Sequence, residues 1–102
     1  MEVSITGRGF HPSEQIKSYA QTKAERLARL FDGIQSVSFT FSREGDSQHA
    51  ELIVQAARKT RLVAHESSTD MMAAIDRVVD KARRQLRRFK DKLKDRRELR
   101  RP

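Results

Sequence analysis

Ser36-Val37-Ser38-Phe39-Thr40-Phe41-Ser42 alternates without a break. Val37, Phe39 and Phe41 fall on one side, and Ser36, Ser38, Thr40 and Ser42 fall on the other. Period-two alternation describes a strand with one buried and one solvated face. A sheet built on such a strand needs cover on one face only, and the rest of the chain must supply it. Upstream, Glu2–Thr6 reads as a short strand with Val3 and Ile5 inward, ended by Gly7 and Gly9. Downstream, Arg43–Gln48 contains Gly45 and Asp46 and reads as a hairpin loop. His49–Ala56 is a third strand, with Ala50, Leu52 and Val54 inward. The chain turns at Ala57–Lys59, and Thr60–Glu66 is a fourth strand with Leu62 and Ala64 inward.

Two helices are available as cover. Pro12 and Ser13 mark the start of the first, with Ser13 as N-cap and Glu14 favourable in the first turn. Ile16, Ala20, Leu27, Leu30 and Phe31 share one face at helical spacing, with Tyr19 at its edge. Asp32-Gly33 ends it. Ser67-Ser68-Thr69-Asp70 offers four successive cap candidates for the second helix. Its apolar stripe is Met71, Ile75, Val78, Val79, Ala82, Leu86, Phe89 and Leu93. The stripe fades past Leu93, so residues 1–95 read as one domain and 96–102 as a basic, flexible tail. The expected class is α+β in the order β-α-β-β-β-α, a four-stranded sheet with two helices on one face. The first helix makes a right-handed crossover between two parallel strands, and strands two to four form an antiparallel meander.

The chain is 102 residues long, with 22 Lys+Arg against 14 Asp+Glu and a net charge of +8. One small domain with a modest core is what that length supports. With no Cys there is no disulfide, thiolate metal site or cysteine nucleophile. No apolar run reaches the roughly 20 residues of a membrane span, and the N-terminus has no signal-peptide stretch. A cytoplasmic setting is expected.

The charge is concentrated. Residues 1–69 hold nine basic and eight acidic side chains, net +1, whereas 70–102 hold thirteen and six, net +7. Helical residues step about 100°. Arg77, Lys81, Arg84, Arg88 and Lys92 then cluster opposite Ile75, and Arg83, Arg87, Lys90 and Lys94 form a second row on one flank. Two basic rows on one helix repel each other until an anion arrives. On the first helix, Lys23 and Arg26 border the apolar face and are placed to line the same groove. The arginines favour phosphate, which guanidinium binds bidentately. The outward sheet face offers Ser, Thr, Glu51, Gln55 and His65 rather than stacking rings, which argues for backbone and shape recognition over base stacking.

Catalysis finds little support. His49 and His65 read as possible cross-strand neighbours, the minimum a ribonuclease would need. Such residues are far more often polar surface. Asp70, Asp76 and Asp80 read as acids serving the helix start, without the further ligands a metal would require. No phosphate-loop or nucleophile motif is present.

Beyond these local readings, Ile5-Thr6-Gly7, Leu27 with Phe31-Asp32, and above all Asp70-Met71-x-Ala73-Ala74-Ile75-Asp76 carry a resemblance, continued by Lys81, Arg84-Gln85-Leu86 and Lys90-Asp91-Lys92. From about residue 1 to 95 the chain resembles the short ribosome hibernation-promoting factors, the family that includes protein Y. The resemblance implies a fold similar to double-stranded-RNA-binding domains, no enzymatic activity and no cofactor or metal. It implies binding to the small ribosomal subunit and its 16S rRNA, and to whole ribosomes, in the channel used by mRNA and tRNA. Translation is thereby silenced in stress or stationary phase. It implies no membrane or small-molecule partner, and a monomer off the ribosome. The rRNA-binding candidates are Lys23, Arg26, Arg77, Lys81, Arg83, Arg84, Arg87, Arg88, Lys90 and Lys92. The chain departs from the family pattern at Met72, where Tyr is common, and at Arg58-Lys59, which charge a turn that is often Gly-rich. The alternative is another module of this fold acting on free structured RNA.

Overall fold

The computed structural model describes residues 1–57 and 59–99, with side-chain surroundings as far as Asp91; Arg58 and residues 100–102 lie outside the described residues. The elements are β1 (Glu2–Arg8), α1 (Glu14–Leu30), β2 (Ile34–Glu44), β3 (Ser47–Ala56), β4 (Thr60–Ser68) and α2 (Met71–Leu99). They follow the expected β-α-β-β-β-α order. The strands lie side by side as β1-β2-β3-β4. β1 runs parallel to β2, with Glu2 opposite Ser36 and Arg8 opposite Ser42. The β2-β3 and β3-β4 pairs are antiparallel.

Local chemistry sets the ends of these elements. The Ser13 hydroxyl accepts from the Ile16 N–H at 3.2 Å and caps α1. After Leu30 the chain becomes extended at Phe31, and Gly33 takes a left-handed φ of +86°. Of the four cap candidates before α2, Asp70 does the capping: its carboxylate accepts from the Ala73 N–H at 3.2 Å. Ser68 in turn accepts from the Asp70 N–H at 3.4 Å. The expected loop Arg43–Gln48 shrinks to the pair Gly45-Asp46, because Glu44 and Ser47 are already paired. Gly45, at φ +60°, makes so tight a reversal possible. Arg43 and Gln48 become ladder partners, and the Arg43 Nε–H donates to the Gln48 amide oxygen at 2.9 Å.

The core is the inner sheet face plus one stripe from each helix. Val37, Phe39 and Phe41 are fully buried, together with Ala50, Leu52 and Val54 from β3. Against them lie Ala20, Ala24 and Leu27 of α1, and Met71, Ala74, Ile75, Val78, Ala82 and Leu86 of α2. Phe39 and Phe41 stack with ring centroids 5.6 Å apart. Losing either ring would cost about 3–5 kcal/mol by the usual scale for core aromatics.

Two expected core residues lie elsewhere. Leu30 is 57% exposed, because the last turn of α1 lies at the rim of the space between the helices rather than over the sheet. Phe89 is only half-buried, and Leu86 is the last buried residue on α2 among the described side chains. Length explains this. A helix of 29 residues spans about 43 Å, and a strand of nine residues only about 30 Å. The helix outruns the sheet that buries it. Leu93, expected in the stripe, lies outside the described side chains. α2 continues to Leu99, so residues 96–99 of the expected tail are helical.

Gly7 closes the junction between β1 and α1. A methyl group there would meet the Phe10 carbonyl oxygen and the Pro12 ring, both too close to accommodate it. The chain doubles back over this position because it has no side chain. Gly7→Ala is expected to destabilise the fold by about 1–3 kcal/mol, the range for overpacking a tight site. Urea unfolding followed by circular dichroism measures it, and an unchanged midpoint would contradict the close approach.

Candidate nucleic-acid interface

With one stripe of each helix committed to the sheet, the basic side chains occupy what remains. They fall into three settings.

The first is the free edge of β4. The Arg77 guanidinium donates to the Ser67 carbonyl at 3.1 Å, and Lys81 Nζ donates to the His65 carbonyl at 3.4 Å. Both residues were expected to face away from the fold, opposite Ile75. Their heads instead turn to the sheet edge and satisfy carbonyls that no fifth strand bonds. This blunts an edge that would otherwise invite pairing.

The second setting is the groove between α1 and α2, a cavity of about 300 Å³ with a floor of Leu27 and Val79 and with Leu30 at its rim. Lys23, Arg26 and Arg83 rim it, as expected, with Asp76 and Asp80 among them. The acids do not serve the helix start. Asp76 accepts from the Tyr19 hydroxyl at 2.5 Å and holds Lys23 Nζ at 3.4 Å. Lys23 also lies over the Tyr19 ring, 5.3 Å from its centroid. Asp80 pairs with Arg83 at 2.9 Å and with Arg84 at 3.3 Å. Apart from Lys23, at 26%, these side chains are about half or more exposed, and such pairs contribute only about 0–1 kcal/mol each. A phosphate can therefore displace a carboxylate here at little cost.

The third setting is the overhang of α2. Arg87, Arg88 and Lys90 are exposed beyond the last core residue. Among the described residues, neither they nor Arg26 has an ion-pair partner. Lys92 falls outside the described side chains. The ten expected site residues thus do not form one surface. Two hold an edge, a rim is buffered by acids, and an arm is left uncompensated.

Sequence reading missed Tyr19, Asp76 and Asp80 as parts of the site. Asp80 was legible, since it stands three and four residues before Arg83 and Arg84. The Tyr19–Asp76 bond joins residues 57 apart and had no local signal. The hydrogen bond to Asp76 raises the Tyr19 pKa above its ordinary 10.0; partial burial adds to this, and Lys23 opposes it. On the outer sheet face His49 and His65 do stack, with centroids 5.4 Å apart. Their neighbour is the Glu44 carboxylate, 3.9 Å from His49.

The family model described as "Sigma 54 modulation protein / S30EA ribosomal protein" matches residues 3–94. A ribosome hibernation promoting factor from Azotobacter vinelandii is 34% identical over 102 residues, covering 100% of this chain and 94% of that protein. One from Escherichia coli K12 is 31% identical over 94 residues, covering 92% and 98% respectively. Among solved structures, the N-terminal domain of Thermus thermophilus protein Y superposes with a TM-score of 0.79 at 31% identity, covering 87% of this chain and 99% of that one. A ribosomal subunit interface protein from Coxiella burnetii gives a TM-score of 0.83 at 22% identity, covering 89% and 99%, and supports the fold alone.

The Tyr19 bond makes a pH prediction. Folding holds the phenol proton more tightly, so this contribution to stability is complete below pH about 10 and is lost as the pH rises through the raised folded value. In an ultraviolet titration the single tyrosine is expected to ionise above 10.0, and Asp76→Asn to bring the midpoint back down. A midpoint indifferent to Asp76→Asn would remove the bond from the account.

Proposed function

Because the chain belongs to the Sigma 54 modulation protein / S30EA ribosomal protein family, we propose that it is a ribosome hibernation factor. It binds the small ribosomal subunit through rRNA phosphates and occupies the path of mRNA and tRNA. Relatives bearing that role in their names match it over nearly its whole length. The single observation that carries the mechanism is the uncompensated arm Arg87, Arg88 and Lys90, which stands clear of the sheet and in line with the groove rimmed by Lys23, Arg26 and Arg83. A helix that projects beyond its own domain can enter a channel, and a packed domain behind it can close that channel.

The two basic settings divide the work. The arm meets phosphate without first breaking a contact. The rim exchanges a weak carboxylate pair for a phosphate, and its apolar floor sets the depth of approach. Arg77 and Lys81 contribute mainly by keeping β4 closed, so their loss would affect fold and binding together. Silencing comes from occupancy, in the cytoplasm, without catalysis or a cofactor. Guanidinium groups favour the bidentate phosphate geometry of an RNA backbone.

Co-sedimentation with ribosomes and separated subunits across a salt series tests this reading. Pelleting with the small subunit and whole ribosomes, and not with the large subunit, is expected. If about six phosphates are neutralised, the log–log salt slope is roughly −4 to −5. Arg87→Glu with Arg88→Glu is expected to abolish pelleting at moderate salt while leaving the circular dichroism spectrum unchanged. Equal affinity for free duplex RNA would favour a general structured-RNA binder instead. Undiminished pelleting by the folded double variant would exclude the arm as the main contact.

A further inference from the structure

The sheet has two edges, and they are treated differently. On β4, Arg77 and Lys81 bond the Ser67 and His65 carbonyls. At β1, among the described residues, no side-chain or turn hydrogen bond reaches the backbone. Since β1 pairs on one side only, with β2, alternate peptide groups along Glu2–Arg8 face outward unbonded. Val3 and Ile5 on its inner face pack against the core yet stay only half-buried, because nothing lies beyond them. The ends of the strand carry opposite charges, Glu2 and Arg8, and neither has an ion-pair partner among the described residues.

We propose that β1 is a self-association edge, where a second copy of this chain pairs antiparallel to extend two four-stranded sheets into one of eight strands. The strand is complementary to itself in one register. With Ile5 opposite Ile5 on the two-fold axis, Ser4 meets Thr6, Val3 meets Gly7, and Glu2 meets Arg8 at both ends. Every pair joins residues of the same parity. Whichever alternate set of peptide groups faces outward, its members therefore pair with one another, giving a ladder of roughly six to eight main-chain hydrogen bonds. The same parity keeps apolar residues beside apolar or small ones on the inner face, and polar residues together on the outer face. The two Glu2–Arg8 pairs oppose unlike charges, where a parallel or shifted register would leave them unmatched.

The contact is small. One strand edge a side buries less than the roughly 800 Å² per partner of a standard interface, so the dimer is a weak one that forms at high protein concentration. The two-fold axis stands normal to the sheet, so both helix layers lie on the same side. The α2 arms sit at the far edges, away from the contact. Self-association therefore leaves both basic helix faces open, and at low concentration it leaves the chain a monomer, as the family resemblance implies. The inference does not rest on the proposed function.

Sedimentation velocity from micromolar to near-millimolar protein at low salt tests it. The unaltered chain is expected to shift from monomer to dimer across that range. Glu2→Arg and Arg8→Glu each place like charges opposite one another twice, and each is expected to weaken association roughly tenfold. The double variant, Glu2→Arg with Arg8→Glu, restores opposite signs and is expected to recover the dimer. Circular dichroism verifies that all three variants are folded. A monomer at every concentration would overturn the proposal. So would a dimer that the single variants leave intact, or a double variant no better than the singles.

Discussion

The inner face of the sheet cannot be left wet, and most of the structure follows from that. Val37, Phe39, Phe41, Ala50, Leu52 and Val54 are all fully buried, and they come from the two central strands. Two helices must lie over them, and each gives up one stripe to do so. The helix positions nearest the sheet are small: Ala20 and Ala24 on α1, and Ala74 on α2, are each completely buried. They let the backbones settle close over Phe39 and Phe41, whose bulk fills the space between. What the helices do not spend on the core is left for charge. The placement of the described basic side chains on the two helices is a consequence of where the apolar stripes ran.

The charge is consequently sorted by distance from the sheet. Close in, at β4, the heads of Arg77 and Lys81 bend onto backbone carbonyls. At the rim between the helices, Asp76 and Asp80 hold Lys23, Arg83 and Arg84 in half-exposed pairs. Among the described residues beyond Leu86, no strand and no ion-pair partner meets Arg87, Arg88 or Lys90. Repulsion along such an arm is a cost that solvent screening or an anionic ligand reduces. An RNA backbone is a regular line of the opposite charge, and ribosomal RNA is the partner proposed for the arm.

Periodicity made the strands legible, because one buried face imposes period two on Ser36–Ser42 without ambiguity. The meander, the parallel β1-β2 pair and the Ser13 cap followed from short-range chemistry and connection length. The misreadings share one cause: a sequence pattern does not say where its partner surface ends. Phe89 continues the α2 stripe faultlessly, but the sheet has stopped. Leu30 keeps the spacing of α1, but faces the groove. Arg77 and Lys81 stand opposite Ile75 on a helical projection, yet long side chains reach back to an edge that projection does not contain. The Tyr19–Asp76 bond is a tertiary contact between two helices and had no signature in either.

The two sheet edges show how the same long side chains settle a second question. An edge strand is tolerable when its outward peptide groups are bonded, charged over, or too short to template a partner. β4 meets the first condition through α2, which runs beside it. β1 is covered on its face by α1 but has no element at its side, because the crossover that makes β1 parallel to β2 carries the chain over the sheet and not around it. The topology that builds the helix groove thus also leaves one edge open. Its two charged ends, Glu2 and Arg8, repel a copy arriving in the parallel sense and attract one arriving antiparallel. An edge with a single favoured register limits growth. Once two copies have met at β1, the outermost strands of the pair are both β4, where Arg77 and Lys81 already occupy two edge carbonyls, which disfavours further growth.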